Sequence, residues 1–229
     1  MRRVALLTIA LALGLCGSAA GFDAGHLTLD PRQAGTGTRL TIDLRQPRGS
    51  NGINAIIPQL ARGTRFHDRA VARRCRNSQA AADDCPAGSR VGAGTASLEA
   101  EPGGARIPVG VGLYLAPRRR SDDIAGLVMV TRAPSRTGYG TGRVFELNPE
   151  TYPQEGLQLQ LERVRRAFFG LGIRDFNVHL GAHRAVAGRR VDLITNPGSC
   201  PFAGWPWTLA VGSLDRSQRI YRGAVDCSG

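Results

Sequence analysis

Apolar and polar residues alternate in short runs along most of this chain, which is the pattern of half-buried strands. Residues 38–44 are the clearest case, because Leu40, Ile42 and Leu44 would share one face of a strand. Residues 156–162 alternate in the same way. The pattern predicts antiparallel sheets with one buried face and one face in water.

Short connections rich in Gly, Pro and Asn separate these runs, and about a dozen strands result. One short helix is predicted at 79–84, with Ser78 as its N-cap. The Gly/Ser/Pro-rich segment 133–141 is predicted as a loop, and the glycine-rich run 138–142 as a mobile turn. Many strands and almost no helix predict an all-β fold, specifically an immunoglobulin-like or related antiparallel β-sandwich. The predicted strands cover residues 26–30, 38–44, 53–60, 89–98, 107–116, 124–132, 142–147, 156–162, 173–181, 189–195 and a closing pair between 200 and 227.

The first twenty residues have the features of a secretory signal peptide. Arg2 and Arg3 precede an apolar run over 4–15, and the small residues 17–20 follow. This run is shorter than the roughly 20 residues of a membrane-spanning helix, and no other run approaches that length. We expect cleavage near Ala20 and a secreted or cell-envelope protein.

Cys16 leaves a second reading of the N-terminus open. A bacterial lipoprotein signal ends in a lipid-modified cysteine, usually after a small residue, whereas the bulky Leu15 precedes Cys16 here. Residues 21–229 are expected to form one β-sandwich domain, with 118–123 as the place for a subdomain split.

Four cysteines remain after the signal: Cys75, Cys85, Cys200 and Cys227. An even number in an exported chain indicates disulfides, and four cysteines allow three pairings. We expect Cys75–Cys85, which would clip the short helix, and Cys200–Cys227, because each closes a local loop. Their spacing does not fit structural zinc sites.

Arginine supplies all 30 basic residues of the chain, against 18 acidic residues. This bias is typical of a GC-rich genome, but the positive excess persists after removal of Arg2 and Arg3. Such a surface attracts anionic partners, of which anionic cell-envelope polymers are the ones expected. The arginine groups lack the interleaved aromatic residues of a single-strand nucleic-acid platform, so nucleic acid is not the expected partner.

No convincing catalytic or metal-binding set is present in the sequence. His179 and His183 are the closest histidine pair, but no acidic ligand follows them. Ser199 beside Cys200 lacks the G-x-S-x-G form of a nucleophile elbow. Gly138–Gly142 lacks the strand–loop–helix unit of a phosphate loop. We therefore predict a non-enzyme without cofactor or metal.

Carbohydrate chemistry is the alternative function. Trp205 and Trp207 would share one face of a strand and could form a ligand surface, although packing against the Cys200–Cys227 bridge is the simpler interpretation. Glu146 and Glu162 lie on predicted strands and could face a groove as a pair of carboxylates. This alternative is a carbohydrate-binding module or a weak glycoside hydrolase, and it requires both tryptophans to be exposed.

Three segments resemble a group of secreted, β-rich proteins of high-GC bacteria that have no characterised activity. They are Leu-Thr-Leu-x-Pro-x-Gln-Ala-Gly at 27–35, Cys-Pro-x-x-Ser-x-Val-Gly at 85–92 and Thr-Asn-Pro-x-x-Cys at 195–200. The resemblance implies export, disulfides and a β architecture, and it supplies no activity or site. The function expected from the sequence is thus an exported, non-enzymatic binding or structural role at the cell envelope.

Overall fold

The computed structural model describes residues 24–46, 52–99, 104–134, 136–147, 156–165, 172–213 and 216–229, with only the backbone described for 162–165. The predicted signal peptide, with Cys16, lies outside these residues. Within them, no helix has the length and apolar character needed to cross a membrane.

Strands dominate the described chain. One α-helix, α1 (Asn77–Ala81), and two single-turn 3₁₀ helices at Asp68–Ala70 and Ala87–Ser89 are the helical elements. The all-β class is therefore confirmed. The strands are β1 (Ala24–Asp30), β2 (Gly37–Arg45), β3 (Ile53–Gln59), β4 (Arg65–Phe66), β5 (Arg90–Glu99), β6 (Arg106–Ala116), β7 (Asp123–Ala133), β8 (Arg136–Glu146), β9 (Leu157–Arg165), β10 (Gly172–Leu180), β11 (His183–Val186), β12 (Arg189–Asp192), β13 (Ile194–Thr195), β14 (Trp205–Ser213) and β15 (Gln218–Val225).

Seven antiparallel strands close into a barrel. The sheet runs β3-β9-β8-β7-β6-β5-β10, and a bridge between Ile53 and Ile173 returns it from β10 to β3. The predicted sandwich is therefore replaced by a closed ring. Alternating burial could not distinguish the two architectures, because a barrel and a sandwich both bury every second residue.

Two strand pairs extend the sheet beyond the ring. β14 and β15 continue from β3, while β2 and β1 continue from β10. The two extensions approach each other, since β1 packs against β15. Tyr221 lies directly over Gly25, where a Cβ atom would be 2.6 Å from the tyrosine ring. This part of the molecule keeps the face-to-face packing that a sandwich would have.

The main hydrophobic core consists of inward-facing side chains of these strands, such as Leu113, Leu127 and Phe176. A smaller cluster lies on the opposite face of β6 and β7, where α1 covers Tyr114 and Val128. Both faces of these two strands are therefore buried, which explains the continuous apolar run predicted for β7.

Both predicted disulfides are present. Cys75–Cys85 and Cys200–Cys227 have Cα–Cα distances of 5.1 and 5.6 Å. The first clips α1 as expected, but the helix begins at Asn77 after an N-cap at Arg76 rather than at Ser78.

The predicted loop at 133–141 is wrong, because β8 already begins at Arg136 and pairs with β7 from Arg136 to Phe145. Glycines made this segment resemble a loop, including the Gly138–Gly142 run. Gly142 is needed inside the strand, since a Cβ atom there would lie 2.2 Å from the Gln160 carbonyl oxygen of β9. Close strand approach, rather than a turn, explains this glycine.

Candidate functional site

A two-stranded hairpin stands apart from the barrel sheet. β11 and β12 pair only with each other among the described strands. Ala187 and Gly188 form the two-residue turn with φ values of 50° and 75°, as in the type I′ turns that suit hairpins. At its base, the Leu193 amide donates to the Ala182 carbonyl at 2.7 Å.

A cleft of about 240 Å³ lies between this hairpin and the ends of β1, β2 and β10. Small residues, such as Gly37 and Gly181, leave the space open. Five charged or titratable side chains line it, and they include both acids and bases: Asp30, Arg39, His183, Arg190 and Asp192. We call this space the hairpin cleft.

Strand register brings these groups together from distant parts of the chain. Antiparallel pairing sets Asp30 opposite Arg39 across β1 and β2, and His183 opposite Asp192 across β11 and β12. Arg190 lies two residues before Asp192 and therefore shares its face of the hairpin.

Asp192 is held in place on two sides. The Arg190 Nε donates to its carboxylate at 2.9 Å, and this hydrogen bond raises the pKa of Arg190. Below it lies Gly37, where a Cβ atom would be 2.1 Å from the Asp192 Cγ. A larger residue at position 37 would force this carboxylate out of its position.

The chain that follows Asp30 is fixed by Asn196, a buried residue of the Thr-Asn-Pro motif. Its Nδ2 donates to the carbonyls of Pro31 at 2.9 Å and Gln33 at 3.0 Å. The Thr38 hydroxyl also donates to the Pro31 carbonyl at 3.0 Å. In this chain the motif residue therefore secures one wall of the hairpin cleft.

Basic groups lie beside the cleft and behind the hairpin. His179 of β10 has its pKa lowered from the ordinary 6.5 by desolvation and by the positive charges of Arg39 and Arg90 on the flanking strands. Arg184 and Arg189 are exposed on the hairpin, on its face away from the cleft. We call these five residues the basic face.

The tryptophans offered as a ligand surface are buried. Trp205 is 2% exposed, and its Nε1 donates to the Ser199 carbonyl at 2.8 Å. Trp207 is 9% exposed and packs over Gly223. A Cβ atom added to Gly223 would lie 2.5 Å from the Trp207 indole. An exposed aromatic platform is therefore absent at these two positions, because both rings complete the core.

The remaining candidates do not assemble into a reactive site. His179 and His183 lie on different strands, and no group of three His, Cys, Asp or Glu suited to a metal occurs in the described part of the chain. Glu146 is exposed at the end of β8. Glu162 lies on β9, but its side chain falls outside the described residues.

Sequence reasoning missed the hairpin cleft because its walls are more than 140 residues apart along the chain. The pattern predicts a single strand over residues 189–195, whereas β12 and β13 are separate strands. The available local signal was Gly188, because two-residue hairpin turns favour glycine where the backbone φ is positive. No protein-family model, curated protein or solved structure matches the chain.

Proposed function

We propose that this protein is exported and binds an anionic polymer of the cell envelope through the basic face, without catalysing a reaction. The single observation that carries this proposal is the positive charge of Arg39 and Arg90 beside His179 at the end of β10, next to a hairpin on which Arg184 and Arg189 are exposed. Positive charge gathered in one area attracts a polyanion more strongly than the same charge spread evenly.

Other features of the molecule support export and binding. Two disulfides are typical of proteins that fold in an oxidising compartment. The N-terminal sequence predicts a cleavable signal, and mass spectrometry of the mature N-terminus tests it. Cleavage near Ala20 is expected, whereas lipid on Cys16 would make the protein a lipoprotein.

Carbohydrate binding on the two tryptophans loses its support because both are buried. The weak glycoside hydrolase of Glu146 and Glu162 depended on the same exposed tryptophans and loses its support with them. Binding is therefore the function that the geometry favours.

The experiment compares two charge-reversed proteins on isolated cell walls and on immobilised dextran sulfate. Arg184→Glu/Arg189→Glu changes the basic face. Arg136→Glu/Arg216→Glu makes the same charge change at the β7–β8 and β14–β15 connections, at the strand ends opposite to the hairpin. We expect the first pair to weaken binding by about tenfold or more, which is about 1.4 kcal/mol, and the control pair to have a much smaller effect.

Salt dependence provides the second readout. Exposed charges are screened over about 10 Å at 0.1 M salt and about 3 Å at 1 M, so raising the salt should release the wild-type protein. Equal losses in the two variants, or retention unaffected by salt, would refute the proposal. Thermal unfolding of each variant checks that the fold is intact.

A further inference from the structure

We propose that the hairpin cleft binds one sugar unit that carries an anionic group, either a hexuronate or a sugar phosphate. This inference rests on the proposed function, because such a unit would be a repeat or an end of the anionic polymer. It adds a specific site, built from Asp30, Arg39, His183 and Asp192, to a surface that would otherwise act by charge alone.

Mixed charge in the cleft decides the ligand class. A simple anion would suit Arg39 and His183 but would be repelled by the carboxylates of Asp30 and Asp192. A metal ion would suit the carboxylates but not the guanidinium groups of Arg39 and Arg190. A ligand with an anionic group and several hydroxyls satisfies both, since guanidinium donates only and carboxylate accepts only.

The two carboxylates of the cleft, Asp30 and Asp192, are held in position by the protein and are therefore suited to orient the hydroxyls of a sugar. Arg190 and Gly37 fix the Asp192 carboxylate from two sides, and Asn196 fixes the chain directly after Asp30. Groups held in their bound positions before the ligand arrives avoid the entropy cost of ordering them.

Size limits the ligand to about one ring. The cleft volume of about 240 Å³ is below the roughly 300–1,000 Å³ of pockets that enclose drug-sized ligands. The rest of a polymer would therefore lie outside the cleft and would pass around the hairpin to reach Arg184 and Arg189, which are exposed on its other face.

NMR titration of the full mature protein tests the ligand class with four probes: D-glucuronate, D-glucose 6-phosphate, D-glucose and sodium sulfate. We expect at least one acidic sugar to bind about tenfold more tightly than both glucose and sulfate, with shifts of the amides of Gly37, Gly181 and His183. The acidic sugar that binds identifies the anionic group as carboxylate or phosphate. Equal binding of glucose, or of sulfate, would overturn the inference.

Two isosteric variants distinguish specific binding of the sugar in the cleft from general attraction by the net charge of the protein. Asp30→Asn removes an acid from the cleft, and Asp84→Asn removes an exposed acid beside the Cys75–Cys85 bridge. Both raise the net charge by one, so both should slightly strengthen binding of dextran sulfate. Only Asp30→Asn should weaken binding of the acidic sugar, by about tenfold.

Strengthened or unchanged sugar binding by Asp30→Asn would overturn the inference, because charge alone would then govern the site. The proposed function has its own refuting result. It fails if Arg184→Glu/Arg189→Glu leaves polymer binding unchanged while the acidic sugar still binds in the cleft. Dispersed amide spectra of both Asn variants confirm that they fold.

Discussion

Trp205 and Trp207 differ in one hydrogen bond, although they lie on the same face of β14. The Trp205 Nε1 donates to the Ser199 carbonyl at 2.8 Å. The Trp207 Nε1 is buried without a hydrogen-bond partner among the described residues. A buried donor without a partner costs free energy, so the two indoles contribute differently to stability.

We expect Trp205→Phe to lower the free energy of unfolding by about 1–3 kcal/mol more than Trp207→Phe. Both substitutions remove the same atoms, so the loss of packing largely cancels in the comparison. Only Trp205→Phe leaves a carbonyl, that of Ser199, without its donor. Urea denaturation of the two variants measures the difference, and equal stability would contradict the assigned hydrogen bonds.

At this scale the sequence could predict that the tryptophans fill the core but could not predict the cleft. Core packing follows from an alternating apolar pattern beside a disulfide. The cleft depends on Gly37 accommodating the side chain of Asp192. These two residues are far apart in the sequence, and no local sequence pattern indicates their contact.

The element formed by α1 and the Cys75–Cys85 bridge acts as a clip on the outer face of β6 and β7. Arg132 of β7 forms an ion pair with Asp83, just after α1, and its Nε donates to the Asp83 carboxylate at 2.8 Å. The clip covers Tyr114 and Val128, which would otherwise expose apolar surface.

Replacing Cys75 and Cys85 by Ala should lower the free energy of unfolding by about 3 kcal/mol, because the open chain gains loop entropy. The same replacement of Cys200 and Cys227 opens the longer loop that this bridge closes, and a loss of about 3.5 kcal/mol is expected. Chemical denaturation measures both losses. A negligible loss for the first pair would mean that Arg132 and Asp83 hold the clip without the bridge.

Element positions were predictable wherever alternation and turn residues agreed, as for β2 and β9. They failed where glycine served packing rather than a turn, as in β8, and where short exposed strands carry little apolar signal, as in β11. The two failures have different causes, since the β8 glycine depends on its neighbour β9, whereas the β11–β12 hairpin is local but has few apolar residues.

For the whole molecule, closure of the barrel depends on a close approach at the ends of β3 and β10. A Cβ atom on Gly172 would lie 2.2 Å from the Gly52 Cα, immediately beside the Ile53–Ile173 bridge. A backbone contact this close admits only glycine. The sequence predicted the strands on each side, but nothing in their patterns indicates which pair closes the ring.

Gly172→Ala should therefore destabilise the protein by about 1–3 kcal/mol through overpacking and accelerate amide exchange in β3 and β10. Gly110→Ala on β6 is the matched control, because a Cβ atom there meets nothing within 4 Å. The control should change stability by less than about 1 kcal/mol. Similar exchange in both variants would show that the ring does not depend on this contact.

The separation of the β11–β12 hairpin from the barrel sheet has an evolutionary consequence. Its internal hydrogen bonds form a sheet of their own, so exchange of residues 183–192 leaves the barrel's strand pairing intact. Mutations there can alter the cleft wall while the folding stability of the scaffold stays under separate selection. A lineage with this barrel could therefore diversify its ligands by changing one hairpin, much as variable loops diversify on a constant framework.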